Sequence, residues 1–111
     1  MSRITTHVLD TSSGRPAEGV PVELERAEGD GWVPVGRAAT DADGRARALL
    51  DGSAQAGRYR LTFDTGAYFQ AGGVQAFFPE VTVNFTVADP AEHHHVPLLL
   101  SPYGYSTYRG S

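Results

Sequence analysis

Apolar and polar residues alternate one by one along short runs, and each run stops at a cluster of glycine, proline, serine or aspartate. Val20, Val22 and Leu24 are interleaved with Glu23 and Glu25. Tyr59, Leu61 and Phe63 are interleaved with Arg60 and Thr62, and Val81, Val83, Phe85 and Val87 with Thr82, Asn84 and Thr86. Successive side chains of a strand point to opposite faces, so this two-residue period demands sheets with one covered face and one polar face. A chain built this way has to stack two such sheets to bury their apolar rows.

Taken in order, the runs predict eight strands: Ile4 to Asp10, Val20 to Arg26, Trp32 to Thr40, Arg45 to Leu50, Arg58 to Asp64, Val81 to Val87, His93 to Leu100 and Tyr105 to Arg109. Asp10 to Pro16 reads as a turn-rich loop and Asp51 to Gly57 as a polar one. The Asp-Gly pairs at 30–31 and 43–44 mark tight turns. Thr65 is placed to cap a short helix over residues 66–71, ended by Gly72 and Gly73. The expectation is an all-β sandwich with one helical turn, a single domain spanning residues 1–111.

Composition removes several classes of function. The net charge is −4 with no basic stripe, which argues against nucleic acid. Every positive side chain is arginine, so no lysine can form a Schiff base or hold a phosphate. Cysteine is absent, which excludes disulfides, thiol nucleophiles and cysteine-based zinc sites, and fits a reducing compartment. No run is long enough to cross a bilayer and no leader-like apolar segment opens the chain, so the expectation is a cytoplasmic protein without a membrane partner.

The candidate chemistry gathers at the end of the chain. Termini are usually polar and mobile, whereas Tyr103 to Ser111 alternates aromatic and small residues almost to the last position. Just before it come His93, His94 and His95. In a strand His95 shares a face with Pro97 and Leu99, while His94 shares the more apolar face with Val96, Leu98 and Leu100. His94 therefore belongs to the core side and His95 to the outer face. A solvated histidine cluster is the plainest reading. Zinc held by His93 and His95, with His7 as third ligand, is a minority reading, because no carboxylate is clearly placed to complete it. Asp41-x-Asp43-Gly44 resembles a calcium loop only briefly: the first ligand position falls on Ala39 and the closing glutamate position on Leu50. Taken alone, His7 reads as a solvated or satisfied strand histidine and Arg45 as an edge charge. Two histidines, an arginine and a terminal hydroxyl nevertheless suit activation of water beside a polar, amide-like or anionic substrate.

Five stretches carry a resemblance: His7 to Ala17, Asp43-Gly44-Arg45, Phe78 to Val81, His95 to Thr107 and the closing Tyr108-Arg109-Gly110-Ser111. In order and over essentially the whole chain, they resemble the transthyretin-like family of 5-hydroxyisourate hydrolases. The terminal tetrapeptide is the most specific part, since transthyretin shares the Ser-Pro-Tyr and Tyr-Ser-Thr framework but lacks that ending. His94 departs from the family, where tyrosine is common. Because it lies opposite His95, the change should alter packing and leave activity intact.

The resemblance implies a transthyretin-like sandwich of two four-stranded sheets with a short helix after the fifth strand. It further implies a homotetramer, a dimer of dimers, whose central channel is lined by the first, seventh and eighth strands. It implies hydrolysis of 5-hydroxyisourate to 2-oxo-4-hydroxy-4-carboxy-5-ureidoimidazoline, with no cofactor or metal. The catalytic residues carried over are His7, Arg45, His95 and Ser111, with Tyr108 and Arg109 added for substrate binding. One of His7 and His95, oriented by the other, would be the general base. Arg45 would stabilise the oxyanion, Tyr108 shape the pocket floor and Ser111 hydrogen-bond substrate or water. Two rival readings are a small-molecule carrier of the transthyretin kind and a structural module with a metal-dependent contact.

Overall fold

The computed structural model describes residues 3–50 and 54–111. Nine strands and one helix follow in order: β1 (Ile4–Asp10), β2 (Arg15–Pro16), β3 (Pro21–Glu28), β4 (Gly31–Ala39), β5 (Arg45–Ala46), β6 (Gly57–Phe63), α1 (Thr65–Ala71), β7 (Val81–Val87), β8 (His94–Ser101) and β9 (Gly104–Thr107). They form two sheets. One runs β4-β3-β6-β7 and is antiparallel throughout. The other runs β2-β1-β8-β9, with β5 also paired to β1. Within it β1 and β8, ninety residues apart in sequence, lie parallel, with Thr5 opposite His95, His7 opposite Pro97 and Leu9 opposite Leu99.

The alternation is satisfied as anticipated. Ile4 and Val8 from β1 and Val96, Leu98 and Leu100 from β8 face Val22, Leu24, Tyr59, Leu61, Phe63 and Val81 of the second sheet, and all are buried. Burial at about 25 cal/mol per Å² of apolar area supplies the main drive for stacking the sheets.

Four details differ from the sequence-based expectation. The first sheet gains a strand, because Arg15 and Pro16, read as loop, pair with Asp10 and Leu9. The predicted strand from Arg45 to Leu50 shrinks to Arg45–Ala46. Beyond it Leu49 turns into the core, and its carbonyl lies where a β-carbon on Gly36 would stand, so this segment leaves the β1 edge and docks on β4. The helix is capped by Asp64, whose carboxylate accepts from the Ala67 amide at 3.1 Å, while Thr65 is its first, fully buried residue. The last strand ends at Thr107 instead of reaching Arg109. Pro97 has no N–H to continue the ladder, and the Thr107 hydroxyl donates to its carbonyl at 2.7 Å instead. Of the predicted loop 51–57, residues 51–53 lie outside the described residues. Among the described residues no helix is long and apolar enough to cross a membrane.

Candidate active site

The outer face of β1 and β8 is where the predicted residues meet. Parallel register sets the row Thr5, His7, Leu9 beside the row His95, Pro97, Leu99. Arg45 joins from the opposite edge of β1, since β5 is antiparallel to it with Arg45 across from His7. The turn before β5 fixes that placement. The Asp41 carboxylate accepts from the backbone amides of Asp43 at 2.9 Å and Arg45 at 3.0 Å. Those bonds, that of Arg45 foremost, with help from the Arg47 and Arg45 charges, outweigh desolvation and lower the Asp41 pKa. Gly44 has φ +78°, and a β-carbon there would stand 2.4 Å from the Val8 carbonyl, so only glycine lets this turn lie against β1.

The C-terminal end closes the other side. After Thr107 the chain leaves β9, then returns at Gly110, whose amide donates to the His95 carbonyl at 2.8 Å. A β-carbon on Gly110 would stand 2.5 Å from His95 Cδ2 and 3.2 Å from Pro97 Cγ. Glycine here lets the backbone pack directly on the imidazole edge and delivers Ser111 to the same place. The resulting hollow of about 350 Å³ is lined by Arg3, Thr5, Thr6, Arg45, Arg47, His93, His95 and Ser111. Larger hollows of about 410 and 440 Å³ lie against the outer side of the second sheet and beneath α1, but neither gathers a histidine.

Inside the site, one hydroxyl holds two rings. Thr5 Oγ1 is 2.8 Å from His95 Nδ1 and 2.8 Å from His93 Nε2. His95 is half-buried, and its pKa is lowered first by that burial, then by the charge of Arg45, with smaller effects from His93 and His7. Its resting form near neutral pH is therefore the neutral imidazole, with Nδ1 engaged and Nε2 the nitrogen left for chemistry. Among the described residues no ion pair involves Arg45, so its guanidinium is uncommitted to a carboxylate partner.

The structure thus brings Arg45, His95 and Ser111 to one hollow, with His7 beside Arg45. It separates the other two predicted residues from them. Tyr108 and Arg109 line an adjoining hollow of about 210 Å³ with Val83 to Thr86 and His94, and His95 is the residue common to both. Arg109 leans toward Glu92 at 3.7 Å. His94 is buried on the core side, as its strand parity predicts, and its Nδ1 has no hydrogen-bond partner among the described residues. Among the described residues no group of three histidine, cysteine, aspartate or glutamate side chains is arranged to hold a metal ion. The near nitrogens of His93 and His95 converge on a hydroxyl instead. The sequence reading missed Thr5, Arg3 and Arg47. Thr5 shares its face with His7, a signal present in the alternation, but its meeting with His95 depends on a pairing that no local pattern announces.

The model of the family described as HIUase/Transthyretin matches residues 4–110. The chain belongs to this family. A 5-hydroxyisourate hydrolase of Salmonella dublin is 50% identical over 97% of this chain and 80% of its own length. The solved 5-hydroxyisourate hydrolase of Klebsiella pneumoniae is 42% identical, with TM-score 0.88 and both chains fully covered. Sea bream transthyretin in complex with thyroxine is 32% identical over 97% of this chain and 94% of its own, with TM-score 0.92. The backbone of the HIUase/transthyretin fold therefore does not separate a hydrolase from a thyroxine-bound transthyretin, and the side chains of the site have to.

Proposed function

We propose that this chain is a 5-hydroxyisourate hydrolase and that residues 1–111 constitute one hydrolase domain. The observation that carries the reading is the polar hollow where Arg45, His95 and Ser111 meet beside His7, in a chain half identical to an enzyme of that name. A carrier of apolar aromatic ligands needs an apolar lining. Three arginines and two histidines at this hollow favour a polar substrate with carbonyl oxygens.

In the mechanism we propose, His95 is the general base, and its Nε2 takes a proton from water. The hydroxide equivalent adds to a ring carbonyl of the substrate. Arg45, free of a carboxylate, stabilises the oxyanion as it forms. The adjacent C–N bond then breaks, and the His95 proton returns to the departing nitrogen. His7, opposite Arg45, borders the substrate, and Ser111 hydrogen-bonds substrate or water. Tyr108 and Arg109 contact substrate from the adjoining hollow. The outer edges of β7 and β9 carry no strand partner within the described chain, and Tyr103, Tyr105 and Tyr108 are exposed. These edges support a homotetramer built as a dimer of dimers, and the absence of cysteine supports a cytoplasmic setting.

The test is the decay of freshly generated 5-hydroxyisourate, comparing the full chain with one truncated after Thr107, with light scattering on both. Decay far above the spontaneous rate, lost on truncation while the assembly persists, is expected. Decay at the spontaneous rate with the full chain, together with tight binding of aromatic ligands, would sink the enzyme in favour of the carrier.

A further inference from the structure

The Thr5 hydroxyl holds a single proton and stands 2.8 Å from two imidazole nitrogens, His95 Nδ1 and His93 Nε2. A hydroxyl donates once and accepts up to twice. Two arrangements place the hydroxyl proton between two neutral rings; a third, with Thr5 accepting from both, leaves that proton without an acceptor, because Thr5 is buried and its hydroxyl has no further hydrogen-bond partner among the described residues. In the first, Thr5 donates to His93 Nε2 and accepts from His95 Nδ1–H, which leaves His95 Nε2 bare and able to take a proton from water. In the second, Thr5 donates to His95 Nδ1 and accepts from His93 Nε2–H, so His95 carries its proton on Nε2 and cannot act as a base there. Protonated His93 has hydrogens on both nitrogens, and of the arrangements that satisfy the hydroxyl proton it permits only the second.

We propose that Thr5 and His93 are positioning residues that set the tautomer of His95, so that neutral His93 arms the base and protonated His93 disarms it. The inference rests on the reading of His95 as the general base. The two rings are placed for unequal exchange with solvent: His93 is exposed just outside β8, whereas His95 is half-buried under Gly110. His93 is thus the solvent-facing end of the pair. The other ionisable groups facing His95 are His7 of β1 and Arg45 of β5, whose charges reach it. Arg3 and Arg47 line the same hollow, and Tyr108 and Arg109 the adjoining one. None of these has a hydrogen bond to Thr5 among the described residues, so Thr5 is the hydrogen-bonded link between the two rings, beside the direct effect of the His93 charge on His95.

The coupling gives opposite effects for two substitutions at one position. His93→Gln can turn its amide oxygen to Thr5 and serve as a permanent acceptor, holding His95 in its base form. His93→Arg offers only donors and holds His95 in the wrong tautomer. The expected result is near-normal kcat for His93→Gln, with an acid limb reduced from two protons to one. For His93→Arg, kcat falls at least tenfold at every pH, under a ceiling of about 10⁴-fold that a mis-set tautomer costs a catalytic-triad histidine. A charge effect alone would instead shift the acid limb and spare the plateau. Thr5→Val, which keeps the branched shape and removes the hydroxyl, should lower kcat with KM little changed, and Thr5→Ser should restore it. Nitrogen-15 NMR of the imidazole rings, recorded without substrate, reads the His95 tautomer directly and should show it change with the protonation of His93. Equal kcat for the Gln and Arg variants, or a His95 tautomer indifferent to His93, overturns the proposal. An inactive wild-type chain with the NMR coupling intact would defeat the hydrolase reading and leave the coupling standing.

Discussion

The outer faces of the two sheets both carry ionisable side chains, and they treat them in opposite ways. On the second sheet each charge has an answer. Glu23 meets Arg37 at 3.0 Å and Glu25 meets Arg60 at 2.7 Å, and the guanidiniums of Arg60 and Arg58 lie 4.4 and 5.6 Å from the Trp32 ring centre. Such a face is cross-linked between strands and content with water. On the first sheet Arg3 and Arg45 meet no carboxylate among the described residues, and the histidine rings between them are held by a hydroxyl. Arg47 at the same hollow does meet Asp41 at 3.3 Å, but Arg3 and Arg45 stand beside it unanswered; like charges so placed cost stability, and a fold that keeps them does so where a ligand supplies the missing charge or dipole. The difference between pairing and non-pairing, more than the depth of either surface, marks the site.

The strongest way to break this comparison is to remove the unpaired groups. His95→Gln should lower turnover by roughly 10²–10⁴-fold, as loss of a general base does, while thermal unfolding stays cooperative. Arg45→Met should cost about 10²–10³-fold, the scale of a lost oxyanion donor. The pH profiles sharpen the point. A base works when deprotonated, and His95 is held below its ordinary value of 6.5, so its own step in the acid limb lies below that pH. Removing the Arg45 charge removes a cause of the lowering, so the limb of the residual activity should move upward. An unmoved limb would mean that the titrating base is some other group.

Gly110→Ala ranks next. Its new β-carbon would stand 2.5 Å from His95 Cδ2, and either the ring or the terminal backbone has to give way. Displacement of a base by about an ångström can cost up to a hundredfold in rate. The fold should survive, because Gly110 lies beyond the last strand. Full turnover in this variant would show that the ring's position is not fixed by the chain end.

How much of this was legible in the sequence divides along the same line. Alternation sets Ile4, Thr6 and Val8 on one face and His7 on the other, and it puts His94 in the core and His95 on the outer face, because parity is local. The limits of β5 and β9 were not legible. Leu49 is drawn inward by contact with Gly36, and β9 is cut short by the missing N–H of Pro97; both causes lie on other strands. The meeting of Thr5 with His95 depends on a parallel pairing between chain segments ninety residues apart, so neither residue's neighbourhood hints at it. Tyr108 was assigned to the same pocket as His95 and Arg45 by resemblance. In the described chain it lines the adjoining hollow, because Tyr108 falls where the backbone has left β9 and not yet returned at Gly110.

A smaller effect tests a charge that is paired although it sits in the first sheet. Asp10 is buried at the end of β1, and burial alone would raise its pKa. The Ser12 and Tyr68 hydroxyls and the amides of Ser13 and Ser12 together prevail and lower it below 3.8. Tyr68, which donates at 2.8 Å from α1, is pushed up to about 12, chiefly by burial and then by this bond and the Asp10 charge. A carboxyl whose folded pKa is depressed adds stability above its unfolded value and loses it as the pH falls through the folded one. Tyr68→Phe should therefore cost on the order of 1.5–3 kcal/mol near neutral pH, the scale of a hydrogen bond to a charged group. The deficit should shrink in acid below about pH 4, where Asp10 begins to protonate. Urea unfolding at both pH values checks it, and turnover should be unaffected.

The smallest effect is expected on the paired face, and it is the control for the whole comparison. Glu25→Gln removes the carboxylate charge that Arg60 answers but keeps a hydrogen-bond acceptor in the same place, and Trp32 still stacks on the guanidinium. The pair is only part-buried, so water still reaches the guanidinium, while the amide keeps the hydrogen bond and Trp32 keeps the stack. Turnover should match the wild type, the acid limb should not move, and the unfolding midpoint should change only slightly. If instead Glu25→Gln disturbed catalysis as His95→Gln does, the pairing of charges on one sheet would be coupled through the core to the other. The contrast between a structural face and a working face would then fail. Because the two faces are separated by the apolar core of Val22, Leu24, Leu61 and Leu98, whose packing transmits shape but little charge, independence is the expected result.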